Sequence, residues 1–284
     1  MHARPADPPR IASLVPSVTE LLFDLGLGPW IVARTGFCIH PRPAVAAVPK
    51  VGGTKDVKLD ALRALAPTHV IVNVDENEWP TVQALRSFVP EVIVTHPCAP
   101  EDNLALYEQM VQAFGHLPGV RARAGTLSMR LRDALVAVDR AGPWAERRVL
   151  YVIWREPWMT VARDTYISRL LAMVNWQTWP AVTGGPQGAA RYPVFDWDEA
   201  RGAGVDTVLL SSEPYRFGGG HRDEVAQRLP GARVLLVDGE MLSWYGSRAV
   251  AGLAYLKALA QTGEPGSNNA VSPRGPWGAG PCLQ

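Results

Sequence analysis

The stretch THVIVNVDENEW (residues 68–79) joins an apolar strand to an acidic and aromatic turn, and the chain repeats this pattern. About 140 residues later, DTVLLSSEPYRF (residues 206–217) again runs from an apolar strand into such a turn. Each is followed, after a helical stretch, by another strand with a polar end, PEVIVTHP (90–97) and GARVLLVDGE (231–240). Short apolar runs bounded by polar turns are typical of buried strands. This repeated order predicts two similar lobes.

Strand-like and helical patterns alternate on either side of these stretches. Three further strands are predicted, IASLV (11–15), WIVA (30–33) and VLYVIW (149–154). A first helix is predicted after Pro16, where Ser17 and Glu20 match an S-x-x-E capping box. The other predicted helices cover residues 56–65, 78–88, 101–114, 120–140, 166–174, 221–229 and 247–260, with one more around Asp198. Alternation of this kind predicts parallel sheets in an α/β protein.

The longest helical stretch lies between the two halves. Leu127, Leu131, Leu135 and Val138 fall on one face of it. We therefore expect two Rossmann-like lobes with parallel sheets, joined by a single long backbone helix. The predicted division is an N-terminal α/β lobe (10–117), a bridging helix (118–143), a C-terminal α/β lobe (144–261) and a disordered tail rich in Gly, Pro, Ser and Asn (262–284).

Composition narrows the classes of partner. The 284 residues are 47% hydrophobic and 19% charged, as in globular proteins, and the net charge is +1. Without a basic run, a nucleic-acid partner is not expected. The three cysteines, Cys38, Cys98 and Cys282, are too few and too scattered for a disulfide framework. Nothing in the composition requires more than a monomer.

Neither a secretory signal nor a membrane span is predicted. The first apolar stretch, residues 11–27, is interrupted by Pro16 and contains Glu20 and Asp24. A membrane span needs about 20 apolar residues, and a signal needs an unbroken apolar segment with a cleavage site. We therefore expect a cytoplasmic protein with no membrane insertion, or a periplasmic one if a signal has been removed.

The candidate site consists of the residues that follow the predicted strands, because ligands of open parallel sheets bind beyond the carboxyl ends of the strands. These turns are rich in aromatic side chains, which stack on flat ligands, and in side chains that bind metals or orient polar groups. The predicted ligand-binding residues are Pro16, Ser17, Cys38, His40, Thr54, Lys55, Glu76, Trp79, Trp154, Trp158, Glu213, Tyr215, Glu240, Trp244, Tyr245 and Arg248.

Cys38 and His40 are also candidate metal ligands, because a thiolate and an imidazole suit zinc or the axial position of a chelated metal. Their spacing matches no established zinc pattern, and free cysteines are commonly buried in cores. Both interpretations of Cys38 stay open at the level of sequence. We expect no cofactor to be required.

Three longer stretches together resemble a known family. IASLVPSVTELLFDLGLG (11–28), VGGTKDVKLDALRALAPTHVIVN (51–73) and YPVFDWDEARGAGVDTVLL (192–210) are similar to the helical-backbone metal receptors, the class III substrate-binding proteins, and within them to the cobalamin-binding branch. FCIHP (37–41), GGTKD (52–56), IWREPWM (153–159), SSEPYRF (211–217) and DGEMLSWYGSR (238–248) resemble a subgroup that often lacks a signal peptide.

The resemblance implies reversible binding of a metal chelate, most specifically a corrinoid, between the lobes. It also implies docking onto an ABC permease through one acidic residue on each lobe, here Asp60 and Asp198, which are Asp where the transport pattern has Glu. A haem or a siderophore is the alternative ligand. The alternative function is a cytosolic metal-dependent enzyme or metal-handling protein that uses Cys38 and His40 in the same cleft, with Glu76 or Glu213 as general acid or base.

Overall fold

Two parallel sheets of four strands form the frame of the computed structural model, which describes residues 8–264. The first sheet contains β1 (Ile11–Ser13), β2 (Ile31–Arg34), β3 (His69–Asn73) and β4 (Glu91–Thr95). The second contains β5 (Arg147–Val152), β6 (Trp176–Thr178), β7 (Thr207–Ser211) and β8 (Arg233–Val237). Their spatial orders, β2-β1-β3-β4 and β6-β5-β7-β8, are equivalent. The predicted α/β class with duplicated parallel sheets is confirmed.

Ten α-helices lie between and around these strands in the described part of the chain. In the first half they are α1 (Pro16–Asp24), α2 (Leu59–Ala64), α3 (Trp79–Leu85), α4 (Asn103–Phe114) and α5 (Val120–Asp139). In the second half they are α6 (Tyr166–Ala172), α7 (Trp197–Gly202), α8 (Gly219–Arg228), α9 (Gly239–Ser243) and α10 (Ala249–Thr262). The predicted long helix over 120–140 is therefore present as α5.

Both sheets bury apolar side chains on their two faces. Successive residues of a strand point to opposite faces. In β3, Val70 and Val72 accordingly pack in a cluster with α2 and α3, whereas Ile71 packs in the cluster that contains α1 and α4. In β7, Val208 and Leu210 likewise pack in one cluster, and Leu209 packs in the other. Because apolar side chains are buried on both faces of each sheet, the central strands are unbroken apolar runs in the sequence.

Helix α5 packs against α4 of the first half and α10 of the second. Leu127 and Leu131 are buried in a hydrophobic cluster that contains Ile71 of the first sheet and Leu209 of the second. The two sheets are thus connected by one continuous apolar core as well as by the covalent chain. The lobe boundaries themselves stay a prediction.

The predicted capping box at the first helix is wrong. The helix already begins at Pro16, and its N-cap, Val15, makes no side-chain capping bond. Proline suits the first turn because its missing N–H has no intrahelical partner there. Ser17 therefore lies inside the helix, and the Glu20 carboxylate pairs with Arg248 instead.

Two short elements were not predicted. Strand β6 has only three residues with the polar Gln177 at its centre, and α9 has five, so neither gives a periodic pattern. The predicted tail over 262–284 lies almost wholly outside the described residues, and within them α10 extends to Thr262. Among the described helices, none combines the length and the apolar character that crossing a membrane requires.

Candidate functional site

The turns after the strands of the two sheets meet in one cleft, which we define by three contacts between the halves of the chain. His40 Nε2 lies 3.0 Å from Glu240 Oε2. The Tyr245 hydroxyl donates to Glu76 Oε1 at 2.8 Å. The third contact joins Asp75 to Arg191, with 2.7 Å between Oδ1 and Nε. The structure therefore brings His40, Glu76, Glu240 and Tyr245 of the predicted set together.

His40 and Glu240 belong to a longer chain of charges. Arg248 Nη1 lies 3.0 Å from Glu240 Oε2, and the same guanidinium makes two bonds to Glu20, at 2.7 and 2.8 Å. Burial opposes ionisation of Glu240, but the hydrogen bond and charge of His40 and the charge of Arg248 outweigh it and lower its pKa. Arg248 also lies over the Trp244 ring, 4.8 Å from its centroid. Arg248 thus joins helix α1 to the cleft.

Glu76 has a different environment. Burial raises its pKa to about 7, against the hydrogen bond from Tyr245, and the nearby carboxyls of Glu213 and Asp75 raise it further. The charge of Lys55 acts in the opposite direction. Near neutral pH this side chain can therefore both accept and, when protonated, donate a hydrogen bond.

Glu213 resembles Glu76 but lies on the other lobe, after β7. Its Oε1 accepts hydrogen bonds from Ser243 Oγ at 2.7 Å and Trp244 Nε1 at 2.6 Å. Burial raises its pKa to about 7 despite these bonds, and the nearby Glu240 adds to the rise. Two carboxyls that ionise near neutrality thus face the cleft from opposite lobes.

The contact of Asp75 with Arg191 was missed by the sequence analysis. The Arg191 side chain is 2% exposed, and its Nη1 also lies 3.6 Å from Asp164 Oδ2. Burial opposes ionisation of Asp75, but the bond with His96 and the charge of Arg191 outweigh it and lower its pKa. Asp75 stands in the acidic turn quoted above, but Arg191 lies in a 3₁₀ turn within an irregular segment, where no periodicity signals burial.

Cys38 is buried, whereas His40 is partly exposed. The Cys38 side chain is 0% exposed, and its sulfur lies 3.1 Å from the Thr35 hydroxyl. Burial raises the pKa of the thiol. The sulfur is thus buried, which favours the core interpretation of Cys38, whereas the His40 imidazole contacts Glu240 across the cleft. No set of three or more His, Cys, Asp or Glu side chains in residues 8–264 is arranged to hold a metal ion, and the metal role of Cys38 and His40 stays a prediction.

The predicted aromatic residues occupy three kinds of environment. Trp244 and Tyr245 are buried at the cleft. Trp154 packs edge-on against Tyr215, with 5.6 Å between ring centroids. Trp158 stacks on Phe217 within an aromatic cluster of the second lobe, so it packs mainly on its own lobe. Trp79 is 57% exposed at the start of α3, and the Arg86 guanidinium lies over its ring, 5.4 Å from the centroid.

The remaining predicted ligand-binding residues surround the start of α1 and the loop before α2. Pro16 and Ser17 are buried in the first turn of α1. Thr54 is partly buried, and its carbonyl accepts a bond from Asn77 Nδ2 at 2.9 Å. Lys55 is exposed, and its Nζ donates to the Asp75 carbonyl at 3.2 Å. Their role in ligand binding stays a prediction.

The two predicted docking residues lie on exposed turns of equivalent helices. Asp60 is in the first turn of α2 and lies 3.8 Å from Arg63, three residues further on. Asp198 is in the first turn of α7 and lies 2.6 Å from Arg201, with the same spacing. Both carboxylates are fully or largely exposed. The two carboxylates thus occupy equivalent exposed positions on the two lobes, although their distances to the arginines differ.

A separate cavity of about 480 Å³ lies beside α1, α5 and α10. Its lining includes Glu20, Arg123, Arg130 and Arg248 and contains no aromatic side chain. It shares only the Arg248–Glu20 pair with the network of the cleft. We assign the candidate site to the cleft, because the strand ends of both sheets and the aromatic side chains converge there.

A family model described as periplasmic binding protein matches residues 11–229. The chain belongs to the periplasmic binding protein family. Membership confirms the resemblance to substrate-binding proteins that the sequence motifs indicated. The family is named for periplasmic proteins, and it lends no support to the cytoplasmic location expected from the sequence.

One relative by sequence within the periplasmic binding proteins is a vitamin B12-binding protein of Vibrio parahaemolyticus serotype O3:K6. It is 25% identical over 178 residues, which make up 62% of this chain and 63% of that protein. The chain therefore matches less than two thirds of that relative's length. Two further vitamin B12-binding proteins match at similar identity.

Solved structures of periplasmic binding proteins share the fold. The periplasmic vitamin B12 binding protein of Vibrio cholerae has a TM-score of 0.74 at 18% identity, with 90% of this chain and 99% of that chain covered. The periplasmic haem-binding protein of the same organism has a TM-score of 0.71 at 21% identity, with 89% and 99% covered. At these identities the likeness establishes the two-lobed architecture and leaves the ligand open.

Proposed function

We propose that this protein reversibly binds a metal chelate in the cleft, and that the chelate is a corrinoid. The observation that carries the proposal is the meeting of strand-end side chains from both lobes, His40 and Glu76 from one and Glu240 and Tyr245 from the other. The vitamin B12-binding relatives favour a corrinoid over a haem. Binding requires no covalent step, so the proposal assigns no catalytic residue.

The three contacts across the cleft close it in the described structure. A ligand of corrinoid size therefore has to separate His40 from Glu240 and Tyr245 from Glu76 before it enters. Each contact is a hydrogen bond or ion pair between side chains, and such contacts exchange readily for bonds to a ligand. The burial of the Cys38 sulfur against Thr35 disfavours the alternative of a metal-dependent enzyme that uses Cys38 with His40.

Absorption and calorimetric titration with cyanocobalamin and dicyanocobinamide test the proposal. We expect a saturable change of the corrinoid spectrum and a dissociation constant of about 1 μM or lower, which corresponds to roughly 8 kcal/mol. Flat calorimetric traces together with unchanged spectra for both compounds would contradict it. Haemin serves as the comparison ligand.

We further propose that Asp60 and Asp198 dock onto an ABC permease. Their exposed, matching positions on the two lobes support this, since a pair of equivalent carboxylates suits a two-fold partner. Changing both to Ala should abolish ligand uptake in cells that carry the partner permease, while ligand binding in solution is retained. Glu108→Ala with Glu146→Ala, at other exposed positions, is the matched control. Uptake unchanged by the Asp60 and Asp198 substitutions would reject the docking role.

A further inference from the structure

The positively charged side chains of the cleft already contact hydrogen-bond acceptors of the protein itself. Arg191 lies 2.7 Å from Asp75, and Arg248 lies 2.7 Å from Glu20. The ammonium group of Lys55 donates to the Asp75 carbonyl. An arginine paired in this way must give up its carboxylate before it can bind an anionic ligand. Neither arginine therefore offers uncommitted positive charge, whereas the exposed Lys55 ammonium bonds only a neutral carbonyl and retains its charge.

Two carboxyls of the cleft, Glu76 and Glu213, make no ion pair among the described residues, although the charge of Lys55 acts on Glu76. Glu76 is bonded by the Tyr245 hydroxyl, and Glu213 by the Ser243 hydroxyl and the Trp244 indole N–H. All three donors are neutral. A carboxylate has about four acceptor sites, so both side chains retain the capacity to accept bonds from a ligand.

A hydroxyl donor lies in the same region. Ser17 is 3% exposed, and its Oγ makes no well-aligned hydrogen bond within the described structure, although the Tyr245 hydroxyl is within its reach. It lies close to the Tyr245 hydroxyl, which bonds Glu76. A buried hydroxyl without a partner costs free energy that a ligand acceptor would recover. The Ser17 hydroxyl, which is at most weakly bonded to Tyr245, can therefore turn to donate to a ligand near the Glu76 acceptor.

We propose that Glu76, Glu213 and Ser17 make the cleft selective for chelates whose periphery carries amide groups, and that they exclude chelates with peripheral carboxylates. An amide supplies an N–H for a glutamate and a carbonyl for the serine, whereas a carboxylate supplies acceptors alone and meets like charge. The peripheral side chains of a corrinoid are amides, and those of haem are two propionates. The inference rests on the proposed function and names the chemical feature by which the cleft would recognise its ligand.

The electrostatics of the two glutamates agree with this selectivity rule, by which the cleft prefers peripheral amides to peripheral carboxylates. Burial raises the pKa of each to about 7, and nearby carboxyls raise it further, so neither is stabilised by a sufficient positive charge. At pH 8 both are therefore largely ionised. Like charges repel strongly in a partly buried site, where the effective dielectric is well below that of water.

Two corrinoids that differ only at the periphery test the rule. Dicyanocobinamide carries peripheral amides, and dicyanocobyrinic acid carries carboxylates on the same ring, metal and axial ligands. In titrations followed by absorption at pH 8, we expect the wild-type protein to bind the amide form at least about tenfold more tightly. The Glu76→Gln/Glu213→Gln double variant should reduce this preference by about tenfold, and each single variant should reduce it in part.

Glu108→Gln, an isosteric change at an exposed position on α4, is the matched control and should leave the preference unchanged. If the double variant does not fold, the single variants supply the same comparison. Equal affinity of the wild type for both corrinoids, or a preference that survives both glutamine substitutions, would overturn the rule while the binding function stands. Failure of both corrinoids to bind the wild type would overturn the proposed function and the rule with it.

Discussion

Acidic side chains of one cleft differ in charge state because their immediate partners differ. Glu240 lies beside His40 and Arg248, and its pKa is lowered, whereas Glu213 is bonded only by neutral donors, and burial raises its pKa to about 7. The residue type does not reveal this difference. It follows from which strand-end turn faces which, and those pairings join residues far apart in the chain.

The raised pKa of Glu213 has a direction that unfolding experiments can measure. An unfolded glutamate ionises near 4.3, so between about pH 4.5 and 7 the folded state binds the extra proton, and the free energy of unfolding falls as pH rises. Glutamine at this position cannot ionise and can still accept the bonds from Ser243 and Trp244.

We expect Glu213→Gln to unfold with a free energy about 1–2 kcal/mol higher than wild type at pH 8 and with no such advantage at pH 5. Urea titrations at the two pH values give the difference in unfolding free energy between variant and wild type directly. Glu76, whose pKa is also raised, is present in both proteins and does not enter this difference. A difference between variant and wild type that does not change with pH would contradict the assigned environment of Glu213.

Cys38 supplies a second test at the scale of single residues. Because its sulfur is buried against Thr35, we expect Cys38→Ala to lower the free energy of unfolding by about 1–2 kcal/mol through loss of packing. Corrinoid affinity should change by less than about twofold. Loss of binding in a folded Cys38→Ala protein would instead restore the metal-ligand role that the sequence indicated.

At the scale of elements, the apolar pattern of the sequence predicted those strands and helices whose side chains are buried. The central strands β3 and β7 and the long helix α5 were found from their apolar patterns, because layers on both sides of a strand, or one face of a helix, leave a clear pattern. Strand β6 was missed because a three-residue edge strand with a central glutamine has no period. Arg191 was missed because it lies in an irregular segment and one of its partners, Asp75, lies in the other half of the chain.

The contact between Asp75 and Arg191, which lie in irregular turns of the two lobes, should contribute to stability. Changing Asp75 to Asn leaves the buried Arg191 with one carboxylate partner fewer, and we expect the free energy of unfolding to fall by about 2–4 kcal/mol. Asp60→Asn, at a fully exposed carboxylate, should change it by less than about 0.5 kcal/mol. Chemical denaturation of the three proteins measures both effects. Equal stability of the Asp75 and Asp60 variants would mean that the contact across the cleft does not persist in solution.

At the scale of the whole molecule, the continuous core limits how far the lobes can separate. Leu131 of α5 packs in the same cluster as Ile71 of the first sheet and Leu209 of the second. A large opening would expose part of this cluster to water at about 25 cal/mol per Å². Ligand entry should therefore require rearrangement of cleft side chains and a small rotation of the lobes.

Small-angle X-ray scattering measures how far the lobes separate when a ligand binds. We expect the radius of gyration to change by less than about 1 Å when a saturating corrinoid is added. A change of several ångströms would show that the lobes move as separate bodies and that the shared core does not restrain them.

The central claim is that a corrinoid binds between the two sheets, and its cobalt can be located directly. Crystals grown with dicyanocobinamide and measured at the cobalt absorption edge should show one anomalous peak for each chain, between the carboxyl ends of β1–β4 and those of β5–β8 and near His40, Glu76 and Tyr245. A fully occupied cobalt peak outside this cleft, or no peak in crystals of a protein saturated with the corrinoid, would contradict the account.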